Sequence, residues 1–249
     1  MTLQIFTLRE RPDLRPVVFS QEFESLWPEF MGHDAAAKLY FEPTAFDSYL
    51  DYAFAGIAAD KVVARAFSVP FAFKVDGRTE LPDGGWDAVI RWAHEDRARG
   101  RAPTAVSALE INLLPQARGG GNSLLMLDAM KTCAKAKGFN DLFAPVRPNE
   151  KHLQPHMPMI EYTNKLRDDG LPTDAWLRTH LRIGGKIVKI APYSMTIVGS
   201  IAEWSSWTGL AFEKSGEMVV AGALAPVLVS LEQDYAIYVE PNVWVHHLL

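Results

Sequence analysis

The chain has 249 residues, 48% of them hydrophobic and 22% charged, with a formal net charge of −5. This length can bury a large core, and the composition is that of an ordinary globular protein. The negative balance argues against a sequence-independent nucleic-acid binder, which needs a basic field for the phosphate backbone.

The opening MTLQIFTLRERPDLRP has no basic segment followed by an apolar run, so no secretory signal is expected. No window reaches the ~18 apolar residues of a membrane span, and the default expectation is a cytoplasmic protein with no membrane partner. Leu3 to Leu8 alternates like a short strand, and Arg9 to Pro16 reads as a charged loop. Ser20 is placed to cap a helix from Gln21 to Phe30, and Thr44 to cap a second through Asp51. Ala53 to Ala59 and Val62 to Phe73 form a strand pair about Ala59-Asp60-Lys61, with Val63, Phe67, Val69 and Phe71 close to period two. A helix is expected from Trp86 to Arg99, with Trp86, Val89, Ile90 and Ala93 inward and Arg97, Arg99 and Arg101 as a solubilising basic end.

The most informative stretch is AVSALEINLLPQARGGGNSLLMLDAMKTCAKAKG, from Ala105 to Gly138. A β-prone run stops at Pro115, Gly119, Gly120 and Gly121 follow, and an amphipathic helix begins. Leu124, Leu127, Met130 and Ala134 share one helical face, and Gly138 can stop the helix in a left-handed conformation. Consecutive glycines before a helix expose backbone N–H groups to an anion, so the loop is a candidate phosphate cradle. It is not a P-loop, because Asn122-Ser123 supplies no lysine, and Leu124 stands where a dinucleotide fingerprint needs glycine. Leu142 to Val146 is the next strand, and strand–helix–strand order implies a right-handed crossover with parallel pairing.

The segment Gln116-Ala117-Arg118-Gly119-Gly120-Gly121, entered from Leu113-Leu114-Pro115 and continued by Asn122 and Ser123, resembles the Gln/Arg-x-x-Gly-x-Gly/Ala loop of the GNAT superfamily of acyl-CoA-dependent N-acyltransferases. The resemblance is strongest over residues 104 to 149. It implies an α/β (α+β) fold with a mixed, mostly antiparallel central sheet flanked by helices, and a parallel strand pair splayed at the coenzyme A site. It also implies that this loop holds the CoA pyrophosphate, that Asn149 bonds the pantetheine arm, and that a backbone N–H near Leu113 and Leu114 polarises the thioester carbonyl. The co-substrate would be acetyl-CoA or another acyl-CoA, with no metal, and the partner a small-molecule or peptide amine, in a possible homodimer. Glu110 is the candidate general base and should share a face with Asn112, while Leu109 and Ile111 pack opposite.

The sequence also departs from that family. Lys151 to Pro158 is broken by prolines, and Tyr162, the candidate general acid, comes later than usual, with no Gly-Phe pair after it. His152 and His156 have metal-like spacing, but Pro155 breaks the helix that would align them, so no metal site is expected. The one cysteine, Cys133, allows no intrachain disulfide. Residues 1–170 read as the acyltransferase core and 171–249 as a β-rich extension, with a helix from Asp174 to His180 and strands at Lys186–Ile190 and Met195–Val198. A further helix, Ile201–Trp207, and strands at Ala223–Leu231 and Tyr235–Val239 complete it. Trp204, Trp207 and Trp244 are candidates for lining an apolar pocket. The expected reaction is acyl transfer from a CoA thioester to an amine. A non-catalytic CoA-binding module, and an acyltransferase fed by a carrier protein, are the alternatives.

Overall fold

The computed structural model describes residues 3–75 and 77–249. The strands are β1 (Gln4–Thr7), β2 (Ala53–Ala58), β3 (Lys61–Phe71), β4 (Ala105–Leu113), β5 (Asp141–Val146), β6 (Lys186–Gly199), β7 (Gly216–Met218), β8 (Val227–Ser230) and β9 (Tyr235–Leu248). The helices are α1 (Arg15–Val18), α2 (Gln21–Glu24), α3 (Ala37–Phe41), α4 (Pro43–Phe46), α5 (Gly85–Ala98), α6 (Asn122–Ala136), α7 (Met159–Thr163), α8 (Ala175–Arg182) and α9 (Ile201–Thr208). All strands belong to one sheet in the order β1-β2-β3-β4-β5-β9-β8-β7, with β6 also paired to β9. Among these pairs only β4–β5 is parallel. The fold is therefore the mixed, mostly antiparallel sheet with flanking helices implied by the loop. Strand β9 pairs with β5 from Val243 to Leu248, so the C-terminal strands continue the central sheet. No helix among the described residues is long and apolar enough to cross a membrane.

The sheet has an apolar layer on each face. Phe67, Val69 and Phe71 of β3 pack with α5, the N-terminal helices and Trp204 and Trp244 on one side. Ala64 and Ala66 of β3, with Leu142, Ala144 and Val146 of β5, pack against Met126, Leu127, Met130 and Ala134 of α6 on the other. The buried stripe of α6 is thus centred on Met126 and Leu127, and Leu124 is only half-buried.

Several local expectations are corrected. The helix expected to Phe30 ends at Glu24, because Pro28 cannot donate to a continuing ladder, and Ser20 makes no side-chain cap bond. Thr44 does not cap its helix: Glu42 accepts from Ala45 N at 3.0 Å, and the Thr44 hydroxyl donates to that same carboxylate. Lys186–Ile190 and Met195–Val198 are one long strand whose register slips against β9 between Ala191 and Met195. Residues Ala223 to Pro226 precede β8 rather than join it, and the last strand runs on to Leu248. Trp204 and Trp244 are fully buried, their indole N–H groups donating to Ala236 O and Pro82 O, so they are core residues.

Candidate active site

Strand β4 carries the geometry from which the site is built. Phe67 of β3 faces Glu110 while Ser68 faces Ala108, so Leu109 is an extra residue, a β-bulge. The bulge breaks the alternation: Leu109 packs with the layer of Phe67, and Ile111 with the layer of α6. Leu109 and Ile111 therefore do not share a face, contrary to the simple period-two reading. Glu110 and Asn112 do, since Asn112 Nδ2 donates to Glu110 Oε1 at 2.8 Å. The bulge is held by Trp86, whose Nε1 donates to Leu109 O at 3.1 Å.

The parallel ladder between β4 and β5 consists of Val106↔Leu142 and Ser107↔Phe143 alone. Beyond Ser107 the two strands diverge and leave a wedge through the sheet. Leu114 N donates to Val63 O at 2.9 Å, so the Leu114 amide is engaged by β3. Backbone groups alternate sides along an antiparallel strand, so Ile111 and Leu113 present theirs to the wedge.

At the end of β4 the chain makes a tight turn over Pro115–Ala117, and Arg118 Nε folds back to donate to Leu113 O at 3.2 Å. Gly119, Gly120 and Gly121 then follow at φ of +80°, +59° and +81°. A Cβ on any of them would meet nothing within 4 Å, so the glycines are needed for their left-handed backbone and not for close packing. Asn122 Nδ2 donates to Ala117 O at 2.8 Å and braces the loop from inside, while Ala117 is buried beneath it. The N–H groups of Gly119, Gly120, Gly121 and Ser123 donate to no acceptor among the described residues. They surround the positive end of α6, an arrangement suited to a phosphate. Gln116 and Arg118 are exposed beside them.

A cleft of about 1800 Å3 runs past this loop and through the wedge. Arg118, Gly119 and Ser123 line it at the loop, Ala144, Trp176 and His180 on the α6 face, and Glu110, Asn112 and Arg65 on the opposite face. Asn149, one turn beyond β5, also lines it, and its backbone O lies 3.0 Å from His152 Nδ1. Glu110 stands with its side chain 10% exposed. Burial raises its carboxyl above the usual carboxylate range, and Arg65, bonded to Oε1 through Nε at 2.5 Å, opposes the rise. Arg65 is itself buried, clasps Glu24 and Val18 O, and lies over the rings of Phe23 and Phe67. On this side of the cleft Glu24, Glu29, Glu42 and Glu110 outnumber Lys38 and Arg65, which pairs with Glu24 and Glu110, so the balance is acidic.

Tyr162 is elsewhere. It is buried in the α6-face core, its hydroxyl donates to Asp174 Oδ2 at 2.9 Å, and it is not among the residues lining the cleft. Burial first, and the Asp174 carboxylate second, push its pKa well up. Asp174 in turn caps α8 by accepting from Trp176 N and Leu177 N. His152 and His156 are also apart in role: His156 Nδ1 is 3.5 Å from Glu217. No metal-binding cluster occurs among the described residues.

The structure adds groups that sequence reading missed. Arg147, directly after β5, is bound through Nε to both carboxylate oxygens of the fully buried Glu240, at 3.1 and 3.0 Å. Tyr238 donates to Glu240 at 2.6 Å and Asn242 at 3.0 Å, and both Arg147 and Glu240 line the cleft. His180 and His247 form a second buried pair, with Nδ1 of the first 2.9 Å from Nε2 of the second. No spacing signal could have joined either pair, because the partners are far apart in the chain.

No protein-family model matches the chain. It is 33% identical to arginine N-acetyltransferase avaD of Aspergillus versicolor, over 97% of this chain and 92% of that protein. Among solved structures it resembles the loading GNATL domain of CurA from Lyngbya majuscula, with TM-score 0.55 and 18% identity over 100% of this chain and 98% of that one. It also resembles the GphF GNAT-like decarboxylase in complex with isobutyryl-CoA, with TM-score 0.54 and 15% identity over 100% and 99%.

Proposed function

Since the chain belongs to the GNAT superfamily and is an acyl-CoA-dependent N-acyltransferase with an amine acceptor, we propose that it transfers acetyl from acetyl-CoA to a nitrogen of arginine or of an arginine-bearing molecule. The observation that carries this reading is Glu110, a carboxylate made more basic by burial, at the wedge that joins an acidic chamber to the glycine loop. The acidic wall of Glu24, Glu29 and Glu42 complements a cationic acceptor. The named activity of the Aspergillus versicolor relative supports arginine as that acceptor.

In this account the CoA pyrophosphate lies on the free amides of Gly119, Gly120, Gly121 and Ser123, with Gln116 and Arg118 beside it. The pantetheine arm passes Asn149 and enters the wedge. The acceptor nitrogen approaches from the Glu110 face. Glu110 takes its proton directly or through one water, the nitrogen adds to the thioester carbon, and the C–S bond breaks to release CoA thiolate. The Leu113 and Ile111 amides, turned into the wedge, stabilise the developing oxyanion; the Leu114 amide, engaged by Val63, takes no part. Holding both substrates in one cleft can remove about 7 to 11 kcal/mol of barrier.

The test is to incubate the protein with acetyl-CoA and L-arginine, or arginine with its α-amine blocked, and follow thiol release and product mass. Acetylated product is expected, and the blocked substrate reports which nitrogen reacts. CoA binding without product from either acceptor would refute the arginine assignment.

A further inference from the structure

The pair His180–His247 is unused in the account above. Both rings are buried, 2% and 1% exposed, and they bond each other at 2.9 Å. Their position along the sheet is fixed by register. His247 of β9 pairs with Leu142 of β5, and Leu142 and Phe143 are the residues at which β5 last touches β4. The histidine pair therefore sits at the closed end of the wedge, on the α6 face with Val243 and Val245. Trp176 packs edge-on against His180, with ring centroids 4.5 Å apart, and both line the cleft.

The hydrogen-bonding pattern sets the tautomers. His247 Nδ1 is sealed from solvent and has no partner among the described residues. A buried ring carries such a nitrogen at lower cost as a lone pair than as an orphaned N–H. His247 then holds its proton on Nε2 and donates to His180 Nδ1, which leaves the His180 proton on Nε2. That Nε2 bonds no described residue and is not among the sealed nitrogens, and His180 lines the cleft. Burial, with the second ring adding to it, holds His180 neutral, its pKa lowered to about 3.

We infer that His180 is a further catalytic residue, whose Nε2–H hydrogen-bonds the CoA sulfur as the C–S bond breaks, with His247 as the positioning residue that fixes its tautomer. No proton leaves His180. The nitrogen–carbon bond forms, the acceptor's proton goes to Glu110, the C–S electron pair goes to sulfur, and the thiolate departs stabilised by a neutral donor. The role expected of the tyrosine is filled by an imidazole reached from α8, because Tyr162 is committed to Asp174. The inference rests on acyl-CoA crossing the wedge as proposed above.

The experiment compares the parent with His180→Phe, His180→Gln and His247→Phe in steady-state acyl transfer, in CoA-induced thermal stabilisation, and in nitrogen NMR of the histidine rings. Phenylalanine keeps the ring volume and removes the donor. Loss of one such donor costs about 100-fold or more in kcat. The expected result is a loss of that size for His180→Phe with KM for acetyl-CoA unchanged, partial recovery in His180→Gln, and an intermediate loss in His247→Phe. In the parent, adding CoA should shift the protonated Nε2 resonance of His180. Full activity in His180→Phe overturns the inference. So does a loss that glutamine fails to restore, or an Nε2 resonance that ignores bound CoA. Absence of CoA-induced stabilisation in the parent would instead sink the placement of CoA on the loop, and the inference with it.

Discussion

Replacing Gly120 by Glu separates ligand binding from folding. The position is left-handed at φ +59°, and a Cβ there meets nothing within 4 Å, so the folded chain takes only the backbone penalty of about 1–2 kcal/mol. A carboxylate beside the first turn of α6 recovers roughly 0.3–1 kcal/mol by interaction with the helix dipole. Net destabilisation should stay within about 2 kcal/mol, or a fall in Tm of at most about 8 °C for a chain of this size. CoA at a hundredfold excess over its Kd should stabilise the parent by about 2.7 kcal/mol. At a separation of about 5 Å, a carboxylate and a bound pyrophosphate repel by roughly 3 kcal/mol per unit charge at an effective dielectric near 20. That costs more than 100-fold in affinity and abolishes the shift. Thermal denaturation with and without CoA reads both quantities, and Gly120→Ala, with the strain but no charge, should keep its CoA shift. A Glu variant that folds and still responds to CoA like the parent would refute the assignment of this loop.

Glu110→Gln should keep the Arg65 contact through its amide oxygen and lower kcat by about 10²- to 10⁴-fold, with the acidic, ascending limb of the pH profile lost; an unchanged profile would remove Glu110 as base. Glu240→Ala leaves Arg147 without its buried partner and should destabilise by about 3–5 kcal/mol in denaturant unfolding, whereas a surface pair would give much less. Asp87 and Asp34 are buried together on the Glu110 face, and burial first, then the Asp34 charge, push the Asp87 carboxyl up to about 8. The native state keeps a proton that the unfolded chain releases near pH ~4, so the contribution is complete below that pH and is lost as pH rises through about 8. Asp87→Asn should flatten the decline in unfolding free energy between pH 5 and pH 9 relative to the parent; parallel curves would contradict it.

The glycine loop was legible because its demands are local. Three left-handed residues between a strand and a helix have one economical spelling, and the N–H groups they free are fixed by that backbone. Strand order around it followed from the same segment, since a strand–helix–strand unit pairs in parallel. The bulge at Leu109 was not legible from β4, because it exists only in register with Phe67 and Ser68 of β3. Tyr162 stood at a plausible distance along the chain, yet where its hydroxyl went depended on Asp174 and the path of the irregular segment after β5. Arg65–Glu110, Arg147–Glu240 and His180–His247 each join distant stretches, and an unaligned sequence carries no trace of such pairings. Aromatic residues misled for a simpler reason: Trp204 and Trp244 look the same in sequence whether they line a pocket or fill a core.

The central claim is that both substrates meet in the wedge, CoA from the glycine loop and the arginine group from the Glu110 face. A bisubstrate conjugate, arginine joined through an acetyl bridge to the CoA sulfur, tests it by equilibrium binding. Linking two sites that are occupied at once should tighten binding over CoA by about 10²- to 10⁴-fold, and the conjugate should compete with both substrates. An affinity equal to that of CoA, with no competition against arginine, would contradict the account.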